Sequence, residues 1–159
     1  MTCAQSLHDM EPQSTLAEVA RILRVGGVFA AYDHDWPPTV QWEAEQAFFR
    51  FMNRIHEIRL QYAITSQMQQ WEKGEHFARV RSSGAFRYLK ELVLHHTEPC
   101  TAERWTGFAL TLGHVLSVLD LGLPDTELGL EPFRQATEQT LGNKGLPWYV
   151  SCRVRVGVK

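Results

Sequence analysis

Net charge is nearly absent: 16 Lys and Arg against 18 Asp and Glu leave the 159-residue chain at a formal −2. A balance so close to neutral provides no electrostatic footprint for gripping a nucleic-acid backbone or an anionic membrane. Long hydrophobic runs are missing too, since no stretch approaches the roughly 20 apolar residues of a spanning helix. The segment Met1 to Pro12 lacks the basic-then-apolar order of a secretory signal. The expectation is therefore a soluble, cytoplasmic domain with no membrane and no nucleic-acid partner. Cysteine is scarce: Cys3, Cys100 and Cys152 are odd in number, widely spaced and free of any C-x-x-C pattern, so reduced thiols are expected. The chain contains no G-x-G, the turn that lets a backbone approach a nucleotide-like cofactor. What is present is ordinary globular composition, 44% hydrophobic and 21% charged, in a length that suits one domain with one core.

The informative stretch starts near residue 14. Thr15 and Glu18 have the T-x-x-E spacing of a capping box, and Leu16, Val19, Ala20 and Leu23 recur at helical spacing. Gly26 and Gly27 follow that helical pattern, and so read as a helix stop. Val28 to Tyr32 is apolar without alternation, which predicts a strand covered on both faces; helix, Gly-Gly and strand make an α/β unit. Asp33 to Pro38 reads as a loop because two prolines oppose ladder bonding.

From about Thr39 to Lys73 the pattern is helical. Ala47, Phe48, Phe51, Met52, Ile55, Ile58 and Tyr62 form the apolar stripe, and the length implies a break that no proline marks. Phe86 to His96 predicts a second strand. Thr101 caps a further helix whose face is Trp105, Phe108, Ala109, Leu112, Leu116 and Leu119, stopped by Gly122. Glu131 to Leu141 predicts a shorter helix with Pro132 in its first turn. Trp148 to Val158 alternates with period two, the cleanest strand signal in the chain.

The segments SLHDMEP and TLAEVARILRVGGVFAAYD together resemble the second half of a class I S-adenosylmethionine-dependent methyltransferase. The group is that of the small-molecule methyltransferases of ubiquinone and menaquinone biosynthesis. Leu16, Glu18, Arg21, Leu23, Arg24, Gly26 and Gly27 carry the resemblance, with Val25 in place of the usual proline and Asp9 where an aromatic is usual. It implies an α/β fold: a partial Rossmann-like sheet holding strands four to seven, the last strand antiparallel and set between the fifth and sixth. It also implies that residues 1–159 are a single truncated methyltransferase-like domain. In that scheme residues 39–85 are a helical insertion after the fifth strand that caps the acceptor. The implied cofactor is S-adenosylmethionine, although the glycine loop and ribose-binding acid of the family's first half are absent from this chain.

The resemblance places Gln5, Ser6, Leu7 and His8 beside the cofactor. His8 is the candidate base, because imidazole titrates near neutral pH and a base is needed where the acceptor must lose a proton. Asp33 is the second candidate catalytic residue. Asp33, His34 and Asp35 lie on the carboxyl edge of the sheet, where open α/β folds bind ligands. With Trp36, Trp42 and Trp71 they are the candidate acceptor-binding residues, against core packing as the ordinary use of tryptophan. His95 and His96 with Cys100 and His114 suggest zinc only until strand geometry is considered, since adjacent strand residues point to opposite faces; no metal is expected. Arg79 with Arg81 and Arg153 with Arg155 read as solvated charges on strand or loop surfaces.

The function that follows is methyl transfer to a small organic acceptor, by the C-terminal part of an enzyme that is inactive alone. The alternative is a non-catalytic dimerisation or regulatory module derived from a methyltransferase. A third reading is a carrier of apolar ligands using the tryptophans. An exposed apolar sheet edge invites pairing, so a homodimer or a complementing N-terminal half is the expected partner.

Overall fold

The computed structural model describes residues 1–36, 38–64 and 69–159. Its sheet has four strands in the order β1-β2-β4-β3. β1 (Thr2–Ala4) pairs in parallel with β2 (Val28–His34), Cys3 opposite Ala31. β4 (Leu146–Val158) runs antiparallel to β2, from Val28 opposite Val158 to His34 opposite Cys152. β3 (Tyr88–Cys100) lies on the other side of β4, where the Arg87 amide donates to the Val158 carbonyl at 2.9 Å. The architecture is mixed α/β, and the C-terminal strand sits in the sheet interior, between β2 and β3.

Several boundaries differ from the sequence expectations. α1 spans Pro12–Ile22 and is capped by Glu11, whose carboxylate accepts from the Gln13 and Ser14 amides at 3.0 and 2.6 Å. Thr15 is thus inside the helix, and Glu18 bonds Arg21 instead of reaching back to a cap. Proline at the first helical position forfeits no hydrogen bond, which favours the earlier start. β2 alternates: Phe29, Ala31 and Asp33 are buried while Val28 and His34 are exposed, so the strand is not covered on both faces. Asp33 and His34 belong to this strand and not to a loop. β4 continues to offer partners there, and the ladder ends at Asp35, whose amide donates to Ser151 O at 2.8 Å.

The expected long helix is α2 (Trp42–Gln61), closed by Tyr62 and by Ala63 at a φ of +50°. A 3-10 turn, Lys73–Glu75, leads into α3 (His76–Ser82), so Arg79 and Arg81 are helical. Thr101 does cap a helix, its hydroxyl accepting from the Arg104 amide at 3.3 Å. That helix is two, α4 (Ala102–Leu110) and α5 (Gly113–Leu119), and Leu116 is exposed. α6 (Asp125–Leu128) was not signalled by periodicity, being a single turn; α7 (Leu130–Thr140) holds Pro132 in its first turn.

The chain forms two compact units. One holds Met1–Trp36, Gln67–His96 and Val150–Lys159, the other Pro37–Ser66 and Thr97–Tyr149. In the first, Leu16, Val19, Phe29, Ala31, Val80 and Phe86 make the core, with the Phe29 and Phe86 rings stacked at 5.7 Å. In the second the core is aromatic. Phe51 stacks on Phe133 at 4.8 Å, and Trp105 meets Trp148 edge-on at 5.6 Å, arrangements that add to simple area burial.

Candidate functional site

Because β1 and β2 are parallel, their carboxyl ends share one edge of the first unit. The chain leaves β1 through Gln5, a non-glycine residue at a φ of +49° whose amide donates to Tyr32 O at 2.9 Å. Left-handed backbone at such a residue is uncommon and held by its surroundings. It turns the chain into a short 3-10 segment, Leu7–Asp9. Leu7 is buried in the core there, which brings His8 over the end of β2. Asp33 lies on the same face of β2 as Phe29 and Ala31 and is only 2% exposed.

His8 Nδ1 and Asp33 Oδ1 face each other at 3.7 Å. Both atoms are buried without a hydrogen-bond partner. On the other side of the ring, Nε2 lies 3.5 Å from Asp9 Oδ2. Both ring nitrogens therefore face carboxylates, Nδ1 that of Asp33 and Nε2 that of Asp9. The other oxygen of Asp33 accepts from Arg155 NH1 at 2.7 Å, and Lys73 Nζ stands 3.8 Å from Oδ1 while donating to Gln5 Oε1 at 3.1 Å. The segment carrying Lys73 is tied down at several points: the Trp71 amide donates to His8 O at 2.7 Å, Gln70 Nε2 to Asp9 Oδ1 at 3.2 Å, and Arg155 NH2 to Lys73 O at 2.9 Å.

Around this pair runs a ladder of alternating charge. Arg155 Nε donates to Glu91 Oε2 at 3.0 Å, and Arg153 joins Glu91 at 3.2 Å to both oxygens of Asp35 at 2.9 and 3.0 Å. Bonding to Asp35 first, and then to Glu91, holds the Arg153 guanidinium above its usual range. His76, at 1% exposure, is pushed down to about 4 by burial, a shift that the nearby Arg155 and Arg79 reinforce and Asp33 opposes.

Of the residues singled out in the sequence, Gln5, His8 and Asp33 come together at this edge. Ser6 is half-buried beside them, and Leu7 serves the core. His34 is exposed at the strand end, and Asp35 is engaged by Arg153. Trp71 lies under the Arg79 guanidinium at 5.7 Å from the ring centroid. Trp36 is half-exposed in the same unit, whereas Trp42 is exposed on α2 in the other. The reading of Arg155 as a solvated surface charge is corrected: it is 2% exposed and fully engaged, because its partners come from distant segments. Lys73, Glu91 and His76 were not signalled either. The period-two run at Trp148–Val158 could have flagged Arg155, since Arg153 and Arg155 share one face of a strand expected inside the sheet.

All three cysteines are free, and burial pushes the Cys100 thiol up to about 11. Among the described residues no group of three His, Cys, Asp or Glu side chains is placed to hold a metal, and no helix is long and apolar enough to cross a membrane.

A buried carboxylate and an imidazole thus stand at the carboxyl edge of the parallel pair β1 and β2, the edge at which open α/β sheets commonly bind ligands. No family model and no curated protein matches the sequence. Among solved structures, the chain is similar to a "putative type II methyltransferase" from Anaeromyxobacter dehalogenans, at 20% identity and a TM-score of 0.58 over 99% of this chain. A looser likeness, at 18% identity and a TM-score of 0.44, is to a "putative methyltransferase" from Bacillus halodurans C-125. The chain spans 63% of the Anaeromyxobacter protein's length and 62% of the Bacillus protein's. The first likeness shows that the fold is shared.

Proposed function

We propose that this chain is the C-terminal part of a cytoplasmic S-adenosylmethionine-dependent methyltransferase of the small-molecule group, with its four strands standing as the fourth to seventh of the full sheet. The observation that carries the reading is the sheet order: a C-terminal antiparallel strand between two others, joined to the resemblance of the first 35 residues and to the shared fold. His34, Asp35, Trp36 and Trp71, all in the first unit, then contribute to recognition of the acceptor.

The residues present fit one end of the cofactor. Gln5, Ser6, Leu7 and His8 border the carboxyl edge, and the left-handed turn at Gln5 leads the backbone across it. No glycine follows the carboxyl end of β1 or β2, so the adenosine end finds no close backbone approach on this chain. When bound, S-adenosylmethionine supplies an electrophilic methyl group on a sulfonium. Within this chain, His8 is the group that accepts the proton lost by the acceptor, with Asp33 facing Nδ1 and Asp9 facing Nε2. The catalysis asked of His8 is modest, because methyl transfer depends mainly on alignment.

The test is calorimetric titration of S-adenosylmethionine into the chain, alone and mixed with the N-terminal half of a related methyltransferase. The chain alone should give no saturable heat, and the mixture should bind and transfer labelled methyl. Saturable binding by the chain alone refutes the division of the site. A second reading, a non-catalytic dimerisation or regulatory module, is favoured by the position of β1. It ends the sheet among the described residues with Thr2 and Ala4 exposed, an edge open to a second copy or an N-terminal half. A stable mixed complex without turnover would support that module.

A further inference from the structure

The least expected part of the site is Arg155, and its contacts point one way. Its guanidinium is 2% exposed and spends three nitrogens on three groups: NH1 on Asp33 Oδ2 at 2.7 Å, Nε on Glu91 Oε2 at 3.0 Å, and NH2 on Lys73 O at 2.9 Å. Planar guanidinium bonding fixes direction as well as charge. One oxygen of Asp33 is therefore committed, and the other, Oδ1, is left facing His8 Nδ1 at 3.7 Å and Lys73 Nζ at 3.8 Å.

We infer that Arg155 is a positioning residue for the His8–Asp33 pair: its fork holds the carboxylate so that Oδ1 is presented to the imidazole. An arginine placed only to neutralise Asp33 would need one contact. Here the second and third contacts, to β3 and to the Lys73 turn, remove the rotational freedom that a single ion pair leaves. Lysine at 155 would keep the charge but could not span the same three acceptors. The inference deepens the base role assigned to His8 above, yet its test needs neither cofactor nor acceptor.

The test is the ring-nitrogen chemical shift of His8 Nδ1, read by NMR at one fixed pH in the chain alone, in the wild type, Asp33→Asn, Arg155→Lys and the double variant. The charged and titratable groups facing His8 are Asp9 on its own turn, Asp33 on β2, Lys73 on the preceding turn and His76 on α3; all four are unchanged between the compared pairs except Asp33. Asp33→Asn should displace the His8 Nδ1 resonance in the wild-type background, because that nitrogen loses the carboxylate that faces it. In the Arg155→Lys background the same change should produce less than half that displacement. Equal displacements in both backgrounds overturn the inference, because Arg155 would then act through charge or stability alone. If Arg155→Lys does not fold, Glu91→Gln takes its place. It weakens the acceptor of Nε and leaves Arg155 present, and the same comparison decides with the same signs.

Discussion

Protonating His76 should destabilise the folded protein. Its imidazole is 1% exposed, Arg79 NH1 lies 3.4 Å from Nδ1, and Nε2 is buried without a partner. Arginine can only donate, so Nδ1 is the acceptor and Nε2 carries the hydrogen in the neutral ring. Burial pushes the folded value down to about 4 from an ordinary 6.5. A base whose affinity for protons falls on folding is protonated first in the unfolded chain. Stability is therefore fully present above 6.5, is lost as pH falls from 6.5 to about 4, and changes no further below that from this group. Each pH unit in that window is worth about 1.4 kcal/mol at most, giving a total loss of about 3 kcal/mol. Carboxylates titrate in the same range, so the assay is a difference: urea unfolding of the wild type and of His76→Leu at several pH values between 4 and 7.

The leucine variant removes the partnerless N–H along with the titration, and Arg79 keeps its bond to Glu72 O at 2.8 Å. At pH 7 it should match the wild type within about 1 kcal/mol, since replacing an unsatisfied polar group by an apolar one of similar size is close to neutral. At pH 4.5 it should be the more stable of the two by about 2 kcal/mol. Parallel stability curves for the two proteins would refute the reasoning.

Two other substitutions test the packing. Gly157→Ala would place its Cβ 2.8 Å from Phe86 Cδ1, and that ring is held against Phe29 at 5.7 Å; the variant should lose about 2 kcal/mol in chemical denaturation, and an unchanged midpoint would show that Phe86 can yield. Thr101→Ala removes the hydroxyl that accepts from the Arg104 amide. It should cost about 1 kcal/mol, whereas Thr101→Ser, which keeps the hydroxyl, should recover most of that loss in thermal unfolding.

Local pattern was enough for much of this molecule. Period-two alternation at Trp148–Val158 marked β4, the Thr101 cap marked the start of α4, and the apolar stripe from Ala47 to Ile58 marked α2, because each signal is written in residues that neighbour one another along the chain. The mixed α/β class was legible for the same reason, whereas Gln5 and His8 stood out only through the resemblance of the first 35 residues. What local pattern could not convey was partnership over distance. Arg155 reads as a surface charge until Asp33, 122 positions away, and Glu91, 64 positions away, are brought beside it. Asp33 reads as a loop residue until β4 extends the ladder past it. The tertiary structure alone decided these, because a buried charge is tolerated only where its partners converge, and convergence belongs to the folded sheet.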